Sequence, residues 1–492
     1  MNWGKELEKQ NDKMSFERLF KPKNVLIYKL SSKITFFIEG FLRQGYDLEN
    51  LYLVSSKENE VSGIKCYKTI DDIPIDSFDL LILSVRRDTL VNSITDILSK
   101  KKIKFIHIFT AGTGEFDDEG IKIEKMVKKI IENSPGTRSI GPNCMGLYCP
   151  QGKIAYYSSF PTESGNIALI FQSGDLHSKM VKFSSRRHNL RFSKGVSIGN
   201  CIDIQVSELL QYLNNDSDTE LVCVYFEGLP ILHKNEGKIL LHLLKSMNKP
   251  VLFMRGGRTR RGQTAVITHT GSLATKDTIW KAIFSQSPTI EVPPSLDELI
   301  DYAYIFSKHI QRFRDINKSV KYPINKNALI ILWSGGFGIL ATDILTKLGF
   351  NLPLFMGTKL AKLKEIYPIK IGSLANPLDV PWIVSTEVFL KVSMAAIDND
   401  IDFVMLVTDA WRESKEVMFK NYYDNLLGIK SHVESLDKTL VIILPDYPSE
   451  SREIFHAKLV NDGFVVYPSI ERAAKSFLKL YEYGKKRNIN SW

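Results

Sequence analysis

The chain of 492 residues is too long for a single hydrophobic core, and its 44% hydrophobic and 24% charged residues exclude a disordered chain. Its formal charge of +10 is spread along the sequence, which disfavours a nucleic-acid patch and leaves solvated faces or a polyanionic small ligand as explanations. The sequence has no apolar leader, no membrane-spanning run and no Cys-x-x-Cys pair, so we expect a cytoplasmic protein with reduced thiols and no metal site.

Apolar runs of strand length alternate with amphipathic stretches in the first third of the chain. Four runs predict buried parallel strands: NVLIYKL (24–30), NLYLVSS (50–56), DLLILSV (79–85) and FIHIFTAG (105–112). Stretches between them, such as ITFFIEGFLRQG and TLVNSITDILSKK, have the apolar spacing of helices. This alternation predicts a doubly wound parallel sheet.

The same alternation starts again near residue 150 and once more near residue 328. Its apolar runs include NIALIFQSG (166–174), ELVCVYFEG (220–228), PVLFMRGG (250–257), ALIILWSGGFG (328–338) and TLVIILPDY (439–447). We therefore predict an α/β protein with three doubly wound domains. The predicted limits are 1–19 for an N-terminal extension, 20–148, 149–314 and 328–485 for the domains, and 315–327 for a linker.

In open parallel sheets, ligands bind beyond the carboxyl ends of the strands, so the residues just after each strand are informative. The segment FQSGDLHS (171–178) has the pattern of a strand, a turn at Gly174 and a helix. The free N–H groups at such a helix start form an anion site, to which the Ser173 hydroxyl adds a donor. An ordinary turn with a serine cap is the alternative.

Two further segments carry candidate catalytic residues. Glu227 ends the apolar strand in YFEGL, where its carboxylate could orient an imidazole ring or lie exposed in a loop. His269 stands in AVITHTGSLAT (265–275), ahead of an amphipathic stretch, so we expect it on a loop. It is either a helix-capping turn residue or a nucleophile that accepts a phosphoryl group. No second histidine follows at i+3 to i+5, which disfavours a metal role.

Three glycine-containing turns complete the set of motifs. In SIGPNCMGL (139–147), Asn143 and Cys144 could line a crevice, or Cys144 could be a small buried hydrophobe. In WSGGFG (333–338) a turn opens a helix, but neither a dinucleotide fingerprint nor a P-loop is present. The turn RGGRTRRG precedes His269 and supplies four arginines that could bind phosphate or an acid, or be solvated: Arg255, Arg258, Arg260 and Arg261.

The order of these motifs resembles a known family. In chain order GPNCMGL, FQSG, SIGN, YFEG, GGR…THTGSLA and SGGFGILATD…ANPLD are similar to the α subunit of the NDP-forming acyl-CoA synthetases. That group includes ADP-forming acetyl-CoA synthetase and, more remotely, succinyl-CoA synthetase. The resemblance covers about residues 20–480 and implies a Rossmann-like CoA-binding domain followed by two flavodoxin-like domains.

The resemblance also implies an acid–thiol ligase with assigned residues. His269 would be phosphorylated and paired with Glu227, and the phosphate would be held by Gln172, Ser173 and Gly174. Asn143 and Cys144 would line the crevice for substrate and CoA. ATP or ADP with Mg²⁺ would be bound by an ATP-grasp β subunit, which makes the expected assembly an α2β2 hetero-oligomer.

The chain departs from the family pattern where CoA should bind. The usual glycine-rich loop after the first strand is replaced by LIYKLSSKITFF, with no glycine between Gly4 and Gly40. GDLH also replaces the usual sequence after the serine and places Asp175 and His177 near the phosphate turn, where an acid is unexpected. The positions expected to bind CoA are Ser31, Ser32, Lys33, Ser55, Lys57, Val85, Arg86 and Thr110.

Three functions remain compatible with these patterns. The first is an acid–CoA ligase that works through phosphorylated His269. The second uses the same phosphohistidine but passes the acyl group to an acceptor other than CoA, such as an amine. The third is a CoA-responsive protein without catalysis. A nicotinamide dehydrogenase is disfavoured because the dinucleotide fingerprint is absent.

Overall fold

The computed structural model describes residues 13–29, 35–229, 233, 235–270, 277–368, 371–380, 385–409 and 416–489. For residues 13–15, 267–270, 416–419 and 489 the description is limited to the backbone. The chain divides into two compact units, Met1–Leu299 and Ile300–Trp492. The first unit contains two β-sheets and the second contains one.

The first sheet has the strand order β3-β4-β2-β1-β5-β6-β7, and all its pairs except β3–β4 are parallel. Its strands are β1 Val25–Tyr28, β2 Leu51–Val54, β3 Glu60–Val61, β4 Ile64–Tyr67, β5 Ser77–Leu83, β6 Lys102–Ile108 and β7 Arg138–Ile140. The helices that accompany it are α1 Lys13–Phe20, α2 Phe36–Gln44, α3 Leu90–Lys100 and α4 Asp118–Glu132. β1 pairs in parallel with β2 on one side and β5 on the other. The order in which strands are added to the sheet therefore reverses at β1, as in Rossmann folds.

The second sheet has the flavodoxin-like order β13-β12-β11-β9-β10-β8, in which β8 is antiparallel at the edge. Its strands are β8 Gly146–Tyr148, β9 Ser164–Phe171, β10 Phe192–Ser197, β11 Leu221–Phe226, β12 Val251–Arg255 and β13 Ile290–Val292. The helices are α5 Gly174–His188, α6 Val206–Asn215, α7 Glu236–Ser246, α8 Arg260–Thr270 and α9 Asp277–Ser285, and the next helix, α10 Leu296–Asp315, lies mainly in the second unit.

The third sheet lies in the second unit and repeats this topology in the order β15-β16-β14-β17-β18-β19. Its strands are β14 Ala328–Leu332, β15 Ser373–Leu374, β16 Leu378–Asp379, β17 Phe403–Val407, β18 Thr439–Ile443 and β19 Val466–Tyr467. Its helices are α11 Gly335–Lys347, α12 Gly357–Ile366, α13 Thr386–Ala396, α14 Glu416–Ser435, α15 Glu450–Asn461 and α16 Ile470–Ile489.

The predicted α/β class with three mainly parallel sheets is confirmed. The long buried strands follow the apolar runs, because every residue of β1, β12, β14, β17 and β18 is buried. Short strands such as β3, β13 and β15 have two or three residues and no apolar run to reveal them. The predicted domain limits remain a prediction. None of the described helices is long and apolar enough to cross a bilayer.

Helix α1 ties the two sheets of the first unit together. Phe20 stacks on Tyr212 of α6 at 5.7 Å, and Phe16 stacks on Phe105 of β6 at 6.1 Å between ring centroids. Phe16, Leu19 and Phe20 are all buried. The helix therefore packs on an element that belongs to or accompanies each of the two sheets.

Candidate functional site

A cavity of about 500 Å³ lies between the carboxyl ends of strands from both sheets of the first unit. We call its two sides the β5–β6 wall (Ser84, Val85, Phe109, Thr110 and Ala111) and the β9–β11 wall (Gln172, Ser173, Gly174, Asp175 and Glu227). Between the walls, the cavity is lined by Asn143, Cys144, Met145, Gly199 and Asn200. Ligand sites of open α/β sheets occur at this edge.

The turn at Gly174 admits no larger residue. A Cβ atom there would lie 2.2 Å from Cγ of Met145 and 3.3 Å from Oγ of Ser197. Helix α5 starts at this glycine, so its first N–H groups belong to a turn that lines the cavity. The glycine is therefore explained by close packing on Met145 and not by backbone conformation.

Ser173 and Gln172 have defined partners in this turn. Ser173 is the N-cap of α5, and its hydroxyl accepts a hydrogen bond from the Leu176 N–H at 3.4 Å. Gln172 is buried, donates its backbone N–H to the Tyr225 carbonyl at 2.9 Å, and accepts the Glu227 N–H on Oε1 at 2.8 Å. The serine is thus a helix cap, as one alternative expected, and it also lines the cavity.

Glu227 follows β11 directly and is 8% exposed, which excludes the exposed-loop alternative. Its backbone is held by Gln172, and its Oε1 accepts a hydrogen bond from the Tyr225 hydroxyl at 3.0 Å. Glu227 and the α5 turn are therefore two parts of one hydrogen-bonded edge, facing the same cavity.

The GPNCMG turn connects the two sheets. Asn143 has a left-handed backbone (φ 58°) and donates its N–H to the Thr110 carbonyl at 2.9 Å, while Met145 donates its N–H to the Ser197 hydroxyl at 3.2 Å. Cys144 is buried, and its thiol lies 3.6 Å from the Ile108 carbonyl. Burial raises the pKa of this thiol, so Cys144 lines the crevice as a neutral group.

The β5–β6 wall is fixed by one side chain that bonds to the neighbouring strand. The Thr110 hydroxyl donates to the Val85 carbonyl at 2.8 Å and accepts the Val85 N–H at 3.3 Å. Both residues were expected at the CoA site, and both line the cavity.

Asn200 is a cavity residue for which the sequence suggested no role. Its Nδ2 lies 2.6 Å from Oε2 of Glu115 and 2.7 Å from Oε1 of Glu124, and the Thr113 hydroxyl lies beside both carboxylates. Burial raises the pKa of Glu124. The network joins the end of β10 to the loop after β6. The only sequence signal was the position of Asn200 directly after a strand, in SIGN.

The expectation that His269 lies on a loop is wrong for its backbone, which belongs to helix α8. The sequence pointed only to the later stretch LATKDTIWKAIF as helical, whereas α8 is a separate helix that the Thr259 hydroxyl caps by accepting the Gly262 N–H at 3.0 Å. A Cβ on Gly257 would lie 3.0 Å from the Val266 side chain and 3.8 Å from the Glu227 carbonyl. Helix α8 therefore packs on the turn beside Glu227, while the His269 side chain lies outside the described atoms.

Two of the four arginines before His269 are engaged by carboxylates. Arg255 is 2% exposed, contacts Asp277, and lies 3.2 Å from Glu291, which also pairs with Arg258 at 3.0 Å. None of the four arginines lines the cavity of the first unit. Arg255 anchors the start of α9 to β12 and is not available to an anion there.

Several residues expected to bind CoA do not line this cavity. Ser55 is buried and its hydroxyl accepts the Glu58 N–H at 3.1 Å, Lys57 is exposed, and exposed Arg86 pairs with Asp88 at 2.8 Å. Ser31, Ser32 and Lys33 lie outside the described residues. A role for these residues in CoA binding remains a prediction.

The two polar side chains of the unusual GDLH sequence, Asp175 and His177, lie in different environments. Asp175 lines the cavity and pairs with Lys179 one turn further along α5, at 2.7 Å. His177 is fully buried behind the turn, with Nδ1 hydrogen-bonded to the Tyr156 hydroxyl. Burial lowers the pKa of His177 to about 3, so its ring is neutral. Of these two residues, only Asp175 brings charge to the cavity.

Two sequence families match parts of the chain. Residues 32–150 match the family described as CoA binding domain, and residues 164–306 match the succinyl-CoA ligase like flavodoxin domain. The first match covers the sheet that supplies the β5–β6 wall, and the second covers the sheet that supplies the β9–β11 wall.

Similar proteins match over longer ranges. Acetate–CoA ligase (ADP-forming) I of Archaeoglobus fulgidus is 30% identical over 85% of this chain, which spans only 59% of that relative's length. Subunit alpha of acetate–CoA ligase (ADP-forming) I of Pyrococcus furiosus is 29% identical over 96% of this chain and 98% of its own.

A solved structure has the same fold. The dinucleotide-forming acetyl-coenzyme A synthetase 1 of Ca. Korarchaeum cryptofilum matches with a TM-score of 0.78 and 23% identity over 96% of this chain and 97% of that chain. The chain belongs to the NDP-forming acyl-CoA synthetase family, in which it is similar to an α subunit over nearly its whole length.

Proposed function

We propose that this chain is the α-type subunit of an NDP-forming acid–CoA ligase. It interconverts carboxylic acid, CoA and NTP with acyl-CoA, NDP and phosphate. The observation that carries the proposal is the single cavity at which the α5 turn, the Glu227 carboxylate and the β5–β6 wall meet. The ADP-forming acetate–CoA ligases among the relatives support the same reaction class.

The proposed chemistry has three balanced steps. An imidazole nitrogen of His269 attacks the γ-phosphorus of NTP, and NDP leaves. The substrate carboxylate then attacks the phosphorus of phosphohistidine, which gives an acyl phosphate and restores the neutral ring. The CoA thiol finally attacks the acyl carbon, loses its proton, and releases inorganic phosphate. Each step transfers one group and no electron, so no redox partner is required.

The β9–β11 wall supplies the groups that this chemistry needs. Glu227 would accept the N–H of the His269 ring and so stabilise the positive charge that phosphorylation leaves on the ring. The Gln172–Gly174 turn would donate backbone N–H groups to the phosphoryl oxygens. This assignment is supported by the packing of α8 on Gly257 next to Glu227.

CoA would enter along the β5–β6 wall, and Asn143 and Cys144 would line the crevice where its thiol meets the acyl group. The wall carries no charged side chain, which suits the uncharged pantetheine arm of CoA. The CoA-binding family match over residues 32–150 supports this direction of entry.

The nucleotide step would be performed by an ATP-grasp β subunit that binds ATP or ADP with Mg²⁺, in a hetero-oligomer such as α2β2. This chain would then act as the phosphoryl acceptor and the thioester-forming half. The relative named subunit alpha supports a partner chain, and the longer relatives are compatible with a fused arrangement of the same activities.

The test is a complete assay of the chain with its ATP-grasp partner, ATP, Mg²⁺, CoA and a panel of short carboxylic acids. We expect acyl-CoA and ADP in equal amounts, and loss of both products in His269→Ala and at least about 100-fold slower turnover in Glu227→Gln. Binding of CoA to the chain, measured by calorimetry, should be micromolar. ADP formation without CoA binding would favour a non-CoA acceptor, and CoA binding without ADP formation would favour a non-catalytic CoA-responsive protein.

A further inference from the structure

We propose that Tyr225 is a positioning residue for Glu227, and that its hydroxyl sets the orientation of this carboxylate. The inference rests on the proposed function of Glu227 and adds a residue to that site. Tyr225 was not among the residues that sequence patterns pointed to. Its hydroxyl donates to Oε1 of Glu227 at 3.0 Å.

The position of Tyr225 follows from strand geometry. Side chains two residues apart on a strand point to the same face, so Tyr225 and Glu227 are neighbours at the carboxyl end of β11. Glu227 lies beyond the last paired residue of the strand. The Tyr225 hydroxyl is a neighbour whose hydrogen bond to Oε1 can hold this carboxylate in one orientation.

The frame around Glu227 closes through Gln172. The Gln172 N–H donates to the Tyr225 carbonyl at 2.9 Å, and Oε1 of Gln172 accepts the Glu227 N–H at 2.8 Å. Gln172 therefore fixes the backbone at both residues, and the Tyr225 hydroxyl fixes the carboxylate. The same frame joins Glu227 to the first residue of the proposed phosphate-binding turn.

The Tyr225 ring has little freedom to move. It packs against the ring of buried Phe171 at 6.0 Å between centroids. A Cβ on Gly256 would lie 3.2 Å from the Tyr225 hydroxyl oxygen and 3.3 Å from Cγ of Glu227, so the glycine at the end of β12 leaves room for this contact. Burial and the Glu227 charge both raise the pKa of Tyr225, so the phenol remains a donor at neutral pH.

The contact has a chemical consequence for the reaction. A hydroxyl that donates to a carboxylate limits its rotation. The N–H of the phosphorylated His269 ring needs a carboxylate oxygen that is held in place. Removal of the hydroxyl should make phosphorylation slower, while leaving the fold and nucleotide binding intact.

The test is Tyr225→Phe, which keeps the ring and removes only the hydroxyl. In the complete enzyme with ATP and its ATP-grasp partner, we expect phosphohistidine to form about tenfold more slowly, with KM for ATP unchanged. In a Glu227→Gln background the same substitution should have little further effect on this rate, because the hydroxyl acts through the carboxylate.

The matched control is Tyr148→Phe. Tyr148 lies in β8 of the same sheet, is fully buried, and donates its hydroxyl to the Pro161 carbonyl at 2.8 Å. This variant should lose stability to a similar extent but keep the wild-type rate of phosphohistidine formation. A merely structural role for Tyr225 predicts that both variants behave alike.

The outcomes separate this inference from the proposed function. If Glu227→Gln is slow and Tyr225→Phe has the wild-type rate, the inference is overturned and the proposed function stands. If the wild-type chain is not phosphorylated at all, both are overturned. A slower Tyr225→Phe with an unchanged KM for ATP, beside a wild-type rate in Tyr148→Phe, supports the positioning role.

Discussion

The two walls of the cavity differ in the groups that they present. The β5–β6 wall consists of uncharged residues held by backbone-directed hydrogen bonds of Thr110. The β9–β11 wall carries both of the charged residues that line the cavity, Asp175 and Glu227, together with the start of helix α5. In the proposed reaction, the β9–β11 wall would supply the charge-stabilising groups, and the β5–β6 wall would supply a neutral surface for CoA.

The largest expected effect is on the β9–β11 wall, at the turn itself. Gly174→Ala places a Cβ 2.2 Å from Cγ of Met145, so the turn must move and its N–H groups no longer converge on the phosphoryl group. We expect at least about a 100-fold loss of phosphohistidine, measured by acid-labile label from ATP.

The control for that variant is Gly428→Ala in α14, where the added Cβ meets only the tip of the Leu390 side chain at 3.2 Å. It should retain full labelling. Full labelling of Gly174→Ala would show that the turn does not hold the phosphoryl group and would remove the basis for assigning chemistry to this wall.

Glu236 allows an effect on stability to be separated from an effect on the reaction, because its carboxylate does not line the cavity. Glu236 accepts hydrogen bonds from the N–H and hydroxyl of Ser207 at the start of α6, and burial raises its pKa from 4.5 to about 7. The folded state therefore holds this proton more tightly than the unfolded state. Its contribution to the free energy of unfolding is full below about pH 4.5 and is lost as pH rises to about 7.

Glu236→Gln cannot ionise, so its stability relative to the wild type should rise across that window by at most about 3 kcal/mol and stay level above it. Denaturant unfolding at several pH values measures the difference. Labelling of His269 should be unchanged, because Glu236 is not part of the cavity lining. A difference that is the same at every pH contradicts the buried, proton-holding state of Glu236.

A moderate effect is expected on the β5–β6 wall. Thr110→Val removes both hydrogen bonds to Val85 and loosens the neutral surface. We expect KM for CoA to rise about tenfold while the rate of phosphohistidine formation is unchanged. Steady-state kinetics and a separate labelling assay give the two values.

The matched control is Thr95→Val in α3, a helix that accompanies the same sheet. There the exposed Thr95 hydroxyl donates to the Val91 carbonyl of its own helix. It should leave KM for CoA unchanged. If Thr110→Val instead slows labelling as much as it raises KM, the division of labour between the walls is wrong.

The smallest effect concerns the unexpected acid on the β9–β11 wall. Asp175 places a negative charge in the first turn of α5, where it competes with a bound anion for the helix N-terminus. Asp175→Asn should bind inorganic phosphate about two- to fivefold more tightly by calorimetry. Lys179→Met, which removes the partner of Asp175, should bind phosphate more weakly. The reverse order of affinities would contradict a competing role.

Much of the fold and of this comparison follows from the sequence. The long parallel strands were predictable because both faces of each sheet are covered, which requires continuous apolar runs such as VLFMR in β12. The β9–β11 wall was predictable because its residues stand directly after those runs, in FQSG and YFEG.

Other features depend on contacts between distant segments. The start of α8 is set by the Thr259 cap, and a single hydroxyl is weak evidence for a helix in a segment that contains glycine and three threonines. Asn200 and Tyr225 acquire their positions from Glu115, Glu124 and Glu227, and no local pattern encodes such pairings. For Arg255 and Arg258 the sequence left ligand binding and solvation both open, because their carboxylate partners Asp277 and Glu291 lie beyond His269 in sequence.

Phosphorylation of His269 beside Glu227 is the central step of the proposed reaction. The most direct measurement is peptide mapping of the chain after incubation with its ATP-grasp partner, ATP and Mg²⁺, under conditions that preserve acid-labile phosphate. We expect one phosphorylated peptide that contains His269. Addition of carboxylic acid and CoA should remove the phosphate label from this peptide and give acyl-CoA and free phosphate. Phosphate on another residue, or full turnover by His269→Ala, would contradict it.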